Sequence, residues 1–152
     1  PPDGVFFDFG RDHPLYHAWQ PDLIRVVEPY AWYIRVPDML ALLKHVQPAL
    51  ERNLANSLAA GYTGEIKVSF YRSGLNLKLN AGRIESIETW QPDQPDDGDA
   101  AFPDLTFLQL FCGRYRVQEL TSIYPDAWAK IPARGVLNGL FPAFDSQILP
   151  VA

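Results

Sequence analysis

The most regular alternation of apolar and polar residues runs from Glu65 to Trp90. Residues 65–71 alternate strictly, and residues 75–80 alternate again after a turn at Ser73-Gly74. A period of two is typical of a strand with one buried face. After a second turn at residues 81–82, residues 83–90 predict a third strand, with a β-bulge between Ile84 and Ile87, which are out of phase. The pattern predicts an antiparallel meander with one apolar face.

Helical spacing begins after Pro37. Apolar residues recur at positions 39, 43, 46, 50, 54 and 58, which places them on one face of a helix. We expect Asp38 to cap its N-terminus, Pro48 to kink or break it, and Gly61 and Gly64 to end it. This helix is long enough to cover the meander.

The last third of the chain predicts three short apolar helices. They occupy residues 102–113, 117–125 and 136–142 and are separated by Gly or Pro. Gly113 is expected to cap the first of them at its C-terminus. Their apolar residues supply a second cover for the sheet.

The first 36 residues contribute strand candidates at 5–9, 23–27 and 31–36, and a helix that starts near Asp12 or His13 with Pro14 in its first turn. Together with the meander, these elements predict an α+β fold. We expect about five strands in a largely antiparallel or mixed sheet, with helices covering one face.

Composition and charge narrow the classes of function. Residues 91–104 hold five of the 18 acidic residues and none of the 13 basic ones, so acidic and basic residues are equal in number in the rest of the chain. Residues 91–101 are an acidic, proline-bearing connector, which we expect to be a surface loop. No basic stripe is available for phosphates, which argues against nucleic-acid binding. No apolar run approaches the ~20 residues that span a membrane. A single cysteine, Cys112, excludes an internal disulfide and suggests a cytoplasmic location.

Candidate catalytic and metal-binding residues are weakly supported. His13 and His17 are four residues apart, the spacing of a metal pair on a helix, but no third ligand stands at a telling distance. Cys112 follows Phe111 at a helix C-terminus, where the dipole disfavours a thiolate. The aspartates of residues 93–99 lack calcium-loop spacing. The sequence therefore predicts no catalytic residue and no metal site.

The apolar residues leave two interpretations open. The leucine face of the hairpin and the helical runs form either a packed core or the wall of a cavity for a hydrophobic small molecule. The candidate lining residues of such a cavity are Phe70, Leu77, Leu79, Leu108, Phe111, Leu137 and Phe141.

Several strings resemble a known family. Three regions carry the resemblance. They are the string Pro29-Tyr-Ala-Trp-Tyr-Ile-Arg-Val-Pro-Asp38, the hairpin 66–79, and Phe102-Pro-Asp-Leu-Thr-Phe-Leu-Gln-Leu-Phe-Cys-Gly113 with Glu119-Leu and Leu140-Phe-Pro142 after it. They resemble the sterol carrier protein-like domain at the C-terminus of bacterial GNAT-family N-acetyltransferases, a group similar to the enhanced intracellular survival protein. The resemblance implies that residues 1–28 are the tail of an acetyltransferase region plus a linker, and that residues 29–152 are the sterol carrier protein-like domain.

The resemblance also implies a function. The acetyl-CoA loop of that family is absent from this sequence, so acetyl-CoA is the expected cofactor of the parent protein and not of this chain. The domain is expected to pack on the acetyltransferase region of the same polypeptide, shaping the acceptor site or a homo-oligomer. Trp19, Tyr30, Trp128 and Phe144 are aromatics available to such an interface.

The resemblance leaves one alternative function open and gives no catalytic role to the C-terminus. The alternative function is a module that binds a lipid, a sterol or an acyl chain. The chain ends Leu149-Pro-Val-Ala152 without a terminal aromatic, so the catalytic role that some relatives give their C-terminal carboxylate is not carried over to Ala152.

Overall fold

The computed structural model describes residues 14–19 and 34–144. These ranges belong to two compact units, and residues 34–144 form one of them. In the other unit, helix α1 (Pro14–Trp19) begins at the predicted proline. The predicted strands 5–9 and 23–27 lie outside the described residues, as does the first half of 31–36. Its described half, residues 34–36, is not a strand, so that part of the prediction is wrong.

A five-stranded mixed sheet organises residues 34–144. Its order is β3-β2-β1-β4-β5, with the β1–β2, β2–β3 and β4–β5 pairs antiparallel and the β1–β4 pair parallel. The predicted α+β fold with a largely antiparallel sheet is confirmed. The strands are β1 (Gly64–Ser69), β2 (Gly74–Asn80), β3 (Arg83–Trp90), β4 (Ala100–Ala101) and β5 (Trp128–Ala129).

The predicted β-bulge lies on β3. Lys78 pairs with Ser86, and Leu79 pairs with Ile84, so Glu85 is the extra residue. The bulge returns Ile84 and Ile87 to the same buried face. One-sided burial of the meander is therefore kept across the irregularity.

The acidic connector is not a loop throughout. Residues 91–99 have no regular structure, but Ala100 and Ala101 form β4 beside β1. Asp99, just before β4, holds the chain against β1. Its carboxylate accepts the N–H of Lys67 at 2.9 Å, and its own N–H donates to the Lys67 carbonyl at 2.8 Å. The prediction of a loop over residues 91–101 is wrong for its last two residues.

Helix α2 (Met39–Ala55) begins at the predicted cap, where Asp38 Oδ1 accepts the N–H of Ala41 at 2.9 Å. It does not break at Pro48, which lies on the exposed side while Leu43, Leu50 and Leu54 are buried. The helix ends before Gly61, because Asn56 caps it and donates to the Arg52 carbonyl at 2.9 Å.

Three further helices follow the sheet: α3 (Asp104–Phe111), α4 (Val117–Ile123) and α5 (Ile131–Leu140). Gly113 follows the end of α3 with a φ of 69°, as a helix-terminating glycine does. Helix α5 begins five residues before the predicted start at Val136. Pro132 lies in its first turn, where a missing N–H costs nothing. No helix within the described ranges has the length and apolar character needed to cross a membrane.

The core lies between the apolar face of the meander and these four helices. Strand residues such as Val68 and Leu77 and helix residues such as Leu43, Leu110 and Leu137 are at most 2% exposed. The opposite face of the meander is polar, and Glu65, Lys78 and Glu88 are exposed there. The sheet thus has one buried and one solvated face.

Candidate functional site

An aromatic cluster occupies the centre of the predicted site. Phe107, on α3, is 2% exposed and contacts three other rings. Its centroid lies 5.1 Å from Phe70, 5.6 Å from Phe141 and 6.1 Å from Phe102. Phe111 extends the cluster, with its ring 5.9 Å from Phe141. The tilted and edge-on geometries are those that aromatic pairs prefer.

The structure brings most of the predicted lining residues together. Leu77, Leu79, Leu137 and Phe141 are buried members of one core. Phe70 and Phe111 are half-buried and pack against it. Leu108 is half-buried on α3 but is not a member of that core within residues 34–144.

Apart from Leu108, these residues pack within or against one core. Two depressions on residues 34–144 lie elsewhere and are open to solvent. One, of about 390 Å³, is lined by Tyr115 and residues of α4; the other, of about 440 Å³, lies on the polar face around Glu65 and Lys78. Neither is lined by a member of the aromatic cluster.

The turn between β1 and β2 borders the aromatic cluster and holds an unusual backbone. Tyr71 has a φ of 69°, and the N–H of Arg72 donates to the Phe70 carbonyl at 2.9 Å. This is a γ-turn of positive φ, a rare and strained form. A non-glycine residue in such a conformation costs about 1–3 kcal/mol.

Two hydrogen bonds hold Tyr71 in place. Its N–H donates to Ser69 Oγ at 3.0 Å, and its hydroxyl donates to the Asp126 carbonyl. Burial, with a contribution from the Asp126 charge, raises the pKa of the Tyr71 hydroxyl above its ordinary value. The hydroxyl therefore stays protonated and able to donate across neutral pH.

The polar groups that could support chemistry have structural partners or lie apart. Asp97 Oδ2 accepts the N–H groups of Asp93 and Gln94 at 2.9 and 2.8 Å, which closes the acidic segment on itself. Burial raises the pKa of the half-buried Cys112 thiol. His13 and the side chain of His17 lie outside the described residues. Among those that are described, no group of three or more His, Cys, Asp or Glu could hold a metal ion.

Helix α5 exposes two apolar residues and a glycine near its N-terminus. Ile131 is 83% exposed, and Pro132 and Gly135 beside it are also exposed. A Cβ added at Gly135 would meet no described atom within 4 Å. On the inner face of the same helix, by contrast, Gly139 lies against Leu54 and Ser57. The fold of residues 34–144 thus explains Gly139 by packing and gives no such reason for Gly135.

Sequence reasoning omitted Phe107, which has the most aromatic neighbours among the described residues. Its spacing to Leu110 and Phe111 is that of one helix face, and this signal was sufficient to include it. Of the aromatics expected at an interface, Trp19 and Phe144 are exposed, Trp128 is half-buried, and Tyr30 lies outside the described residues. Comparisons with known protein families, curated proteins and solved structures find no match to the chain.

Proposed function

We propose that the chain is a non-catalytic domain that packs on the acetyltransferase region of a GNAT-type enzyme and shapes its acceptor site. The observation that carries the proposal is the outer face of α5, where Ile131 is exposed beside Gly135. An exposed glycine inside a helix costs about 1 kcal/mol relative to alanine. Close approach of another backbone gives that glycine a packing reason.

The character of the buried residues supports the same proposal. The buried residues of 34–144 are apolar apart from Ser69 and Thr106, and Ser69 Oγ accepts the backbone N–H of Tyr71 in the turn that follows. Catalysis requires a nucleophile, base or electrophile whose polar atoms converge on one point. Among the described residues, the carboxylates and the thiol named above do not converge in this way.

The resemblance to the sterol carrier protein-like domain supplies the partner in this proposal. It covers about residues 29–150 and rests on strings between Pro29 and Pro142. The role is that of a rigid body whose outer helix face meets the catalytic region. Acetyl-CoA then belongs to that region, and this chain contributes surface.

Acetyl-CoA turnover by the purified chain tests the non-catalytic role. We expect neither saturable binding of acetyl-CoA by calorimetry nor release of CoA with a panel of primary amines. Turnover that saturates with acetyl-CoA would contradict the proposal. The reading frame upstream of Pro1 is an independent check, because it is expected to encode an acetyl-CoA loop.

A further inference from the structure

We infer that the β1–β2 turn, residues 70–73, is a lid over the aromatic cluster, held closed by the hydroxyl of Tyr71 on the Asp126 carbonyl. The turn is where a strained backbone and an apolar contact coincide. Tyr71 is the centre of the γ-turn, and the residue before it, Phe70, places its ring 5.1 Å from Phe107. Movement of the turn therefore moves a wall of the cluster.

The strain identifies the direction of that movement. Strained backbone persists only where surrounding contacts over-determine it, and it concentrates in clamps and switches. Three bonds confine Tyr71: the Arg72 N–H to the Phe70 carbonyl, the Tyr71 N–H to Ser69 Oγ, and the hydroxyl to Asp126. Only the last reaches another part of the chain. When it breaks, Tyr71 can relax to negative φ, and the turn opens.

The base of the lid is fixed, which confines opening to the turn. Ser69 pairs with Gly74 across the hairpin, and its carbonyl accepts the Phe102 N–H at 2.9 Å. Gly74 is also tightly enclosed, because a Cβ there would lie 2.6 Å from the Trp90 ring. Movement thus begins at Phe70, whose half-buried ring would leave Phe107 and expose apolar surface.

Hydrogen exchange at the Phe70 amide measures this opening, because that N–H donates to the Ser73 carbonyl at 2.7 Å inside the turn. Tyr71→Phe removes the hydroxyl and keeps the ring and the strain. We expect exchange at Phe70 to accelerate about fivefold, as loss of one ordinary hydrogen bond predicts. The amide of Gly82, which donates to the Tyr62 carbonyl at 2.9 Å, is the internal control and should not change.

Tyr71→Gly removes both the hydrogen bond and the strain, whereas Tyr71→Phe removes only the hydrogen bond. Comparing the two variants therefore isolates the effect of the strain. Glycine adopts positive φ without strain, so its Phe70 amide should exchange more slowly than in Tyr71→Phe. Anilinonaphthalene sulfonate, an apolar dye, should fluoresce more strongly with Tyr71→Phe than with the unmodified protein. Three results with Tyr71→Phe would each overturn the lid: unchanged exchange at Phe70, equal acceleration at Gly82, or unchanged dye fluorescence. So would exchange at Phe70 that is faster in Tyr71→Gly than in Tyr71→Phe.

Discussion

The carboxylate of Glu51 accepts the backbone N–H of Ile84 at 3.0 Å and so joins α2 to the edge strand of the sheet. The same carboxylate accepts from Arg83 Nη1 at 2.7 Å and from Gln47 Nε2 at 3.1 Å. Gln47 in turn donates to the Ile84 carbonyl at 2.9 Å. Both backbone groups of Ile84 are thereby paired next to the bulge, where the ladder is interrupted.

The bond to Arg83, with those to Gln47 and Ile84, lowers the pKa of Glu51. The folded-state pKa lies below the unfolded one, so this stabilisation is complete above the unfolded pKa and is lost as pH falls through the folded pKa. We expect Glu51→Gln to lower the free energy of unfolding by about 1 kcal/mol at pH 7. Urea unfolding at pH 7 and at a pH below the ordinary range of carboxyl pKa values should show the difference shrinking as pH falls.

Glu88→Gln is the matched control for Glu51→Gln, since Glu88 is an exposed carboxylate on β3, the strand that carries Ile84. Its unfolding free energy should match that of the unmodified protein at both pH values. A pH-dependent difference as large as that of Glu51→Gln would show that general charge, and not the contact with Ile84, is responsible.

Two glycines of α5 should respond to alanine in opposite directions. Gly135→Ala should raise the free energy of unfolding by about 0.5–1 kcal/mol, because the helix gains a better former and the methyl meets no described atom. Gly139→Ala should lower it by about 1–3 kcal/mol, because its Cβ would lie 2.5 Å from Ser57 Oγ and 3.0 Å from Leu54 Cδ1. Chemical unfolding of the pair measures both, and the same sign in both would contradict this packing.

Phe107 should be among the most costly residues to truncate. Phe107→Ala removes a 2% exposed ring that contacts three others, and we expect a loss of about 3–5 kcal/mol in thermal or urea unfolding. Leu105→Ala, on the same helix at 68% exposure, is the control and should change stability by less than about 0.5 kcal/mol. Similar losses for the two variants would place the core elsewhere.

The Cys112 thiol should react slowly. Burial raises its pKa, and the thiolate is the nucleophile. We expect an aromatic disulfide reagent at pH 8 to modify the folded protein at least about tenfold more slowly than the urea-unfolded chain. Equal rates would mean that the thiol is fully accessible.

Local signals in the sequence were sufficient to predict the meander and the N-terminus of α2. The alternation at residues 65–80 predicted strands whose pairing the structure shows, and Asp38 caps its helix. The out-of-phase isoleucines predicted the bulge. In each of these cases the determining residues are neighbours in the chain.

The errors arose where distant residues decide the structure. Strands β4 and β5 contain two residues each, mainly alanine, and exist through pairing with β1 and with each other. Pro48 was expected to kink or break α2, and the break is absent: the helix is continuous past Pro48, where Leu50 and Leu54 are buried. The strain at Tyr71 has no signature in the sequence, because its hydroxyl bonds to a carbonyl 55 residues away.

The proposed contact is between the outer face of α5 and an acetyltransferase region. Its most direct test is limited proteolysis of the polypeptide that joins this chain to that region, comparing Ile131→Asp with Leu58→Asp. Both replaced side chains are highly exposed, but Leu58 lies outside α5. We predict that Ile131→Asp accelerates cleavage between the two regions about tenfold or more, as loss of an interface anchor implies, and that Leu58→Asp does not. Equal cleavage rates in the two variants would contradict the proposed contact.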